Sequence, residues 1–262
     1  TLVRFAGVFD LAYRRFEDLQ SAERQNRVIR AENERKGKEL EEARQMQLSM
    51  LPKEIPQFKN LEIAVHMQTA TEVGGDYYDF SFRDDGSVNI ALGDATGHGM
   101  KAGIMVSSMK SIFTTNSPKM NIDEFFRTAN SGIKSMNLKR MMMGFTMLNM
   151  NSHHFQLINA GMPPVFLYKK NSKTVEEIKD HCVPIGAMNH IQFRTTHGSL
   201  EKGDVLLLLT DGMPELHNKN EMYGYKRIRD SFKKVAEKEP EKIVGFLNNE
   251  GSAWIDDRDP ED

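Results

Sequence analysis

The chain has 262 residues, 39% of them hydrophobic, enough for one sizeable packed domain and an accessory element. Its 35 lysines and arginines against 37 aspartates and glutamates leave a formal net charge of -2, which excludes the basic footprint of a nucleic-acid binder. The one cysteine, Cys182, excludes an intrachain disulfide and a cysteine-rich zinc site and fits a reducing cytoplasm, and no apolar run reaches the roughly 18–20 residues of a membrane span.

Residues from Leu2 to about Met50 contain no proline, and glycine only at Gly7 and Gly37, so the composition permits one long helix. Leu2, Phe5, Phe9, Ala12, Phe16 and Leu19 alternate spacings of three and four, the apolar seam of a coiled coil. From Gln20 to Arg44 the same register holds Glu23, Asn26, Arg30, Asn33 and Gly37, too polar to lock one alignment. A solvated single helix and a parallel homodimer whose register can shift both fit that stretch. An apolar hold returns at Leu40, Ala43, Met46, Gln47 and Met50, before Pro52 and Pro56 end the helix. The run VRFAGVFDLAYRRFEDLQSAERQ resembles the last helix of a GAF sensor domain feeding a coiled coil. With a first residue Thr1 in place of methionine, that resemblance implies a fragment whose upstream sensor domain was removed, with residues 1–50 as linker and 51–262 as the main domain.

Past the prolines the pattern changes to short strands, expected at Leu61–Met67, Val88–Leu92, Phe145–Met150, Phe155–Ala160, Val165–Lys169, Phe193–His197 and Val205–Leu209. Helices are expected at Met100–Thr115, Ile122–Met136 (capped by Asn121 or Asp123), Tyr225–Ala236 and Glu241–Asn249. Strands and helices come in runs, which favours an α+β layered domain with antiparallel sheets.

Three glycine-flanked aspartates stand where strands are expected to end: EVGGDYYDF around Asp76, GDATGHGMKAG around Asp94 and LLLLTDGMPEL around Asp211. Glycine beside a carboxylate lets the backbone turn sharply and lets a metal, water or phosphate approach the main chain. No histidine–cysteine set competes for these carboxylates, so the implied ions are hard, oxygen-preferring ones such as magnesium or manganese. Taken singly each motif reads as a turn, and GGDYYDF alone suggests a GGDEF-type nucleotidyl cyclase.

Together and in this order, with NAGMPPVFLY at Asn159–Tyr168 and VPIGAM at Val183–Met188, the three motifs resemble the bacterial branch of the protein phosphatase 2C family, typified by stage II sporulation protein E and the stress-response sigma-factor regulators. The resemblance spans about residues 45–262. It implies an α-β-β-α sandwich and a phosphoserine or phosphothreonine hydrolase using two manganese or magnesium ions, with no covalent phosphoenzyme. It further implies that Asp76, Asp94 and Asp211 hold the metals, with the carbonyl of Ala95 as a main-chain ligand. The last ligand of the family falls at Asp262, with Asp259 as the fallback, and the strand beyond it is missing. The helix after GHG resembles the family's switch element, so Met46, Met50, Gly75, Gly97, His98 and Met105 are candidate regulatory residues. His98 could act as an acid toward the leaving group, but a structural histidine in a tight loop is the stronger reading. The implied partner is a phosphorylated regulatory protein, a STAS-type anti-sigma-factor antagonist, with a non-catalytic phosphatase-like binding module as the alternative.

Overall fold

In a computed structural model of the chain, residues 2–58, 60–68, 73–138, 140–180, 182–218 and 221–256 are described. The chain divides into two compact units, Thr1–Ala43 and Arg44–Asp262. Helix α1, Leu2–Met50, makes up the first unit and supplies the opening residues of the second. It runs as one helix, as the missing prolines predict. From Tyr13 to Glu39 every side chain is exposed, Phe16 and Leu19 of the expected seam included. Pairs spaced four apart, such as Lys36–Glu32 at 2.9 Å, line this solvated stretch, where water screens them. The side chains of Leu2, Phe5, Phe9 and Ala12 lie outside the described ones.

The second unit is a layered α+β sandwich. One antiparallel sheet runs β1–β2–β3–β4–β7, formed by Asp76–Phe82, Val88–Ala95, Met143–Asn151, His154–Ala160 and Thr196–Ser199. The other runs β6–β5–β8, formed by Thr174–Ile178, Val165–Lys169 and Val205–Leu207. Helices α2 (Met100–Asn116) and α3 (Ile122–Ser135) cover the first sheet. Helices α4 (Gly224–Val235) and α5 (Pro240–Asp256) cover the second.

Period-two alternation builds the layers. In β3, Phe145 and Met147 face α2 and α3, whereas Leu148 and Met150 face the other sheet. In β5, Phe166 and Tyr168 face α4 and α5, and Val165 joins the layer between the sheets. α3 starts as its cap predicts: Asn121 and Glu124 form a reciprocal capping box, worth about 1 kcal/mol.

Two strand expectations fail for physical reasons, and β1 and β6 stand where no strand range was expected. Leu61–Met67 forms no ladder; Leu61 and Met67 pack against two different apolar clusters instead. The strand expected at Phe193–His197 lies later, at Thr196–Ser199, because Phe193 packs tilted against Phe126 with ring centroids 5.0 Å apart. β6 was not expected at all, since TVEEI is an edge strand whose charges, not apolar alternation, suit its position.

One polar patch interrupts the first core. Asn89, fully buried, donates through Nδ2 to the Ser117 carbonyl at 2.8 Å and to Ser81 Oγ at 3.2 Å. Its Oδ1 accepts from Asn149 Nδ2 at 2.7 Å, and Asn149 also reaches Ser87 Oγ at 3.1 Å. Ser81 and Ser117 share a hydroxyl contact of 2.6 Å.

Candidate metal centre

Asp76 opens β1, and Asp94 stands one residue from the end of β2; the antiparallel register sets the two opposite each other. Asp76 therefore begins a strand where the sequence suggested an end. That is how it meets Asp94, because the start of one antiparallel strand lies beside the end of the next. Gly75 makes the approach tighter. A Cβ there would sit 2.4 Å from the Ala95 carbonyl oxygen and 2.7 Å from Asp94 Oδ1, so only glycine leaves those two oxygens clear. The Ala95 N–H donates to the Gly75 carbonyl at 3.0 Å and ties the strands at this point.

Asp211 arrives from the other sheet, beyond β8, in a turn where the Glu215 N–H donates to the Asp211 carbonyl at 2.9 Å. Burial raises the Asp76 carboxyl; a hydrogen bond from Thr210 opposes the rise and the charge of Asp211 adds to it. Asp94 is pushed up to about 7, by burial first and then by Asp211, Asp76, a hydrogen bond shared with Asp211, and Glu215. Two carboxylates can share a hydrogen bond only when one holds a proton, so the raised value and the contact describe one state. Burial also raises the Tyr225 phenol, with Asp211 and Glu215 adding to it, which places that ring beside the same charges. Thr210, Glu215 and Tyr225 were not singled out in the sequence; Thr210 and Glu215 lie inside TDGMPEL, but only the fold shows that they face the other two aspartates.

The donors are carboxylates and a main-chain carbonyl, which fit a hard divalent cation in kind. Crowded like charges that keep a proton between them are also what a cation would relieve. Among the described residues, however, no three His, Cys, Asp or Glu side chains are already gathered into a set that would enclose a metal. Asp259 and Asp262 lie outside the described residues.

The other expected residues are placed as follows. Gly97 (φ 85°) and Gly99 (φ 74°) turn the loop between β2 and α2, and the Gly99 N–H donates to the Val73 carbonyl at 2.8 Å. His98 is exposed on that loop, and Met105 is fully buried beneath α2. Met46 is 64% exposed, outside the hold expected for it, whereas Met50 receives the Ser107 hydroxyl on its sulfur at 3.4 Å. The buried member of the hold is Gln47, 3% exposed. Its Nε2 donates to the Gly74 carbonyl at 2.7 Å and its Oε1 accepts from the Gly74 N–H at 3.1 Å. One amide thus grips the main chain two residues before Asp76. A glutamine inside an apolar seam was the available signal.

The fold is that of the protein phosphatase 2C class of serine/threonine phosphatases. It is similar to the SiaA-PP2C domain of Pseudomonas aeruginosa, with a TM-score of 0.60, 17% identity, and coverage of 70% of this chain and 74% of that one. It is also similar to the phosphatase domain, with a fragment of the regulatory domain, of SpoIIE from Bacillus subtilis, with a TM-score of 0.58, 19% identity, and coverage of 71% and 55%. The chain belongs to the family described as Stage II sporulation protein E, which matches residues 84–262. A curated relative, the phosphoserine phosphatase RsbU of Bacillus subtilis, is 27% identical over 187 residues, 70% of this chain; the chain spans 55% of that protein's length. Family membership implies dependence on a divalent metal and leaves the cyclase alternative without support.

Proposed function

We propose that this chain hydrolyses phosphoserine or phosphothreonine on a regulatory protein, a phosphorylated STAS-type anti-sigma-factor antagonist, in the cytoplasm. No helix among the described residues is long and apolar enough to cross a membrane. The observation that carries the reading is the strand register that sets Asp76 opposite Asp94, with the charge of Asp211 bearing on both carboxyls and Asp94 raised to about 7.

Asp76, Asp94, Asp211 and the Ala95 carbonyl would hold two manganese or magnesium ions, with Asp262 or Asp259 completing the set. Bound ions would activate water and offset charge on the phosphoryl oxygens. The chain's own residues then have defined tasks. Asp94 must give up its proton before it can ligate, so metal affinity rises as pH climbs through about 7. The Thr210 hydroxyl orients Asp76, and the backbone at Gly75 keeps the Ala95 carbonyl open. Asp211→Ala is expected to weaken manganese binding at least about tenfold by calorimetry. An unchanged isotherm would make TDGMPEL a turn and nothing more.

A non-catalytic binding module is the second reading of the same fold. The same protein in excess manganese, assayed on a phosphorylated STAS-domain protein, separates the two: turnover supports the enzyme, and binding without turnover supports the module.

The exposed Phe16 and Leu19 support a parallel homodimer through α1, relaying a signal from an upstream sensor. Light scattering is expected to give a dimer, and a monomer once the residues before Leu51 are removed. Inserting three or four residues near Gly37 shifts the heptad phase and is expected to change the phosphatase rate. A monomeric chain whose rate ignores the insertion would make the helix a passive tether.

A further inference from the structure

The first core holds a charge that the site itself does not use. Asp79 lies on β1, three residues past Asp76, with its side chain 5% exposed. Its Oδ2 accepts from Lys110 Nζ at 2.6 Å and from the Tyr77 hydroxyl at 2.7 Å, and its Oδ1 accepts from the Phe80 N–H at 2.9 Å. Lys110 comes from α2, the helix that starts directly after the Thr96–Gly99 loop. The ion pair therefore bridges the two elements that lead away from the facing aspartates, β1 from Asp76 and α2 from Asp94.

A buried ion pair is a poor source of net stability, since desolvation offsets most of the attraction, but it is directional. The rest of the α2 face on this sheet is not. Ala102, Met105, Val106, Met109 and Phe113 are fully buried apolar residues, and methionine in particular adapts to small slides of a helix. Apolar packing of that kind fixes that α2 lies on the sheet; the directional ties between α2 and the strands are its C-cap, where Ser117 meets Ser81 and Asn89, and the Lys110–Asp79 pair nearer the Gly99 end. A slide of α2 would drag the loop at Thr96–Gly99 and, through the Gly99 N–H bond to Val73, the chain just before Asp76.

We infer that Lys110 and Asp79 are positioning residues: with Ser117 anchoring the C-terminal end of α2, their ion pair sets the register of its N-terminal half on β1 and so holds the Gly74–Asp76 and Ala95–Gly99 segments in place to receive metal. This rests on the proposed metal reading only in its affinity arm.

The test uses the full chain as wild type, Lys110→Met, Lys110→Arg and the double variant Asp79→Asn with Lys110→Met. Amide hydrogen exchange in metal-free protein is the first readout. With Lys110→Met and with the double variant, exchange across residues 74–76 and 95–99 is expected to quicken about tenfold, while β4 and β5 keep their protection. Lys110→Arg is expected to restore the slow exchange. Calorimetry is the second readout, with manganese affinity expected to fall about tenfold in the same variants. The double variant leaves no lone buried charge, so it folds and carries the test if Lys110→Met does not. Wild-type exchange at both segments in the double variant, or a uniform loss of protection across the domain, would overturn the inference. If wild type binds no manganese, the metal reading fails by itself and the exchange result still decides the register.

Discussion

Asp94→Asn is expected to abolish metal-dependent phosphatase activity while making the metal-free protein no less stable. The two halves of that result have one cause. Asp94 faces Asp76, Asp211 and Glu215, and its carboxyl is held at about 7 by burial and by those charges. Removing its charge removes a ligand, which costs several kcal/mol of transition-state stabilisation, about a thousandfold in rate. It also removes the repulsion. The sign with pH follows from linkage. A carboxyl raised from 3.8 to about 7 binds its proton more tightly in the folded chain than in the unfolded one. Its contribution to stability is complete below about 3.8 and is lost as pH rises through about 7. Metal-free thermal melts should therefore show the variant gaining on wild type at pH 8 and losing that advantage near pH 4. Wild-type turnover of the variant in excess manganese would remove Asp94 from the mechanism.

Gly75→Ala is expected to have the next largest effect, although it adds a single methyl group. The backbone conformation at Gly75 suits alanine; space does not. The added carbon would meet the Ala95 oxygen at 2.4 Å and Asp94 Oδ1 at 2.7 Å; the carboxylate can turn aside only by leaving its place in the site, and the first contact is main chain and cannot turn aside at all. β1 and β2 must part where Asp76 and Asp94 face each other. Overpacking of this kind costs about 1–3 kcal/mol of stability. A shift of about 1 Å at the ligands costs about a hundredfold in rate. Parallel measurement of kcat/KM and melting temperature checks the split, and an alanine variant with full activity would show that this approach is not needed.

The parts of the fold that were legible were those where pattern and packing agree. α1, α3 and β5 fell where proline absence, a cap and an apolar run put them. β6 was invisible because an acidic edge strand has no apolar alternation, and Leu61–Met67 misled because alternation can serve packing without a ladder. At the candidate site, the three aspartates stand out in the sequence by their flanking glycines. That Asp76 faces Asp94 depends on strand register, which no single motif contains. Thr210 and Glu215 gain meaning only when the second sheet brings the TDG turn to the first. Gln47 was read as one more residue of the seam, since its partner is main chain 27 residues away and main chain leaves no trace in a side-chain pattern.

The buried ladder of Ser81, Ser117, Asn89, Asn149 and Ser87 carries a consequence for how this domain can change over generations. Each of these groups is satisfied by its neighbours, and Ser87, Asn89 and Ser117 are buried, so an apolar replacement that leaves one of those three without its partner costs about 1–3 kcal/mol. Replacing the whole set by apolar groups of matching shape would be close to neutral. The five positions are thus inherited as a block: single steps are uphill in every direction, and drift reaches an apolar version of this core only through intermediates less stable than either end.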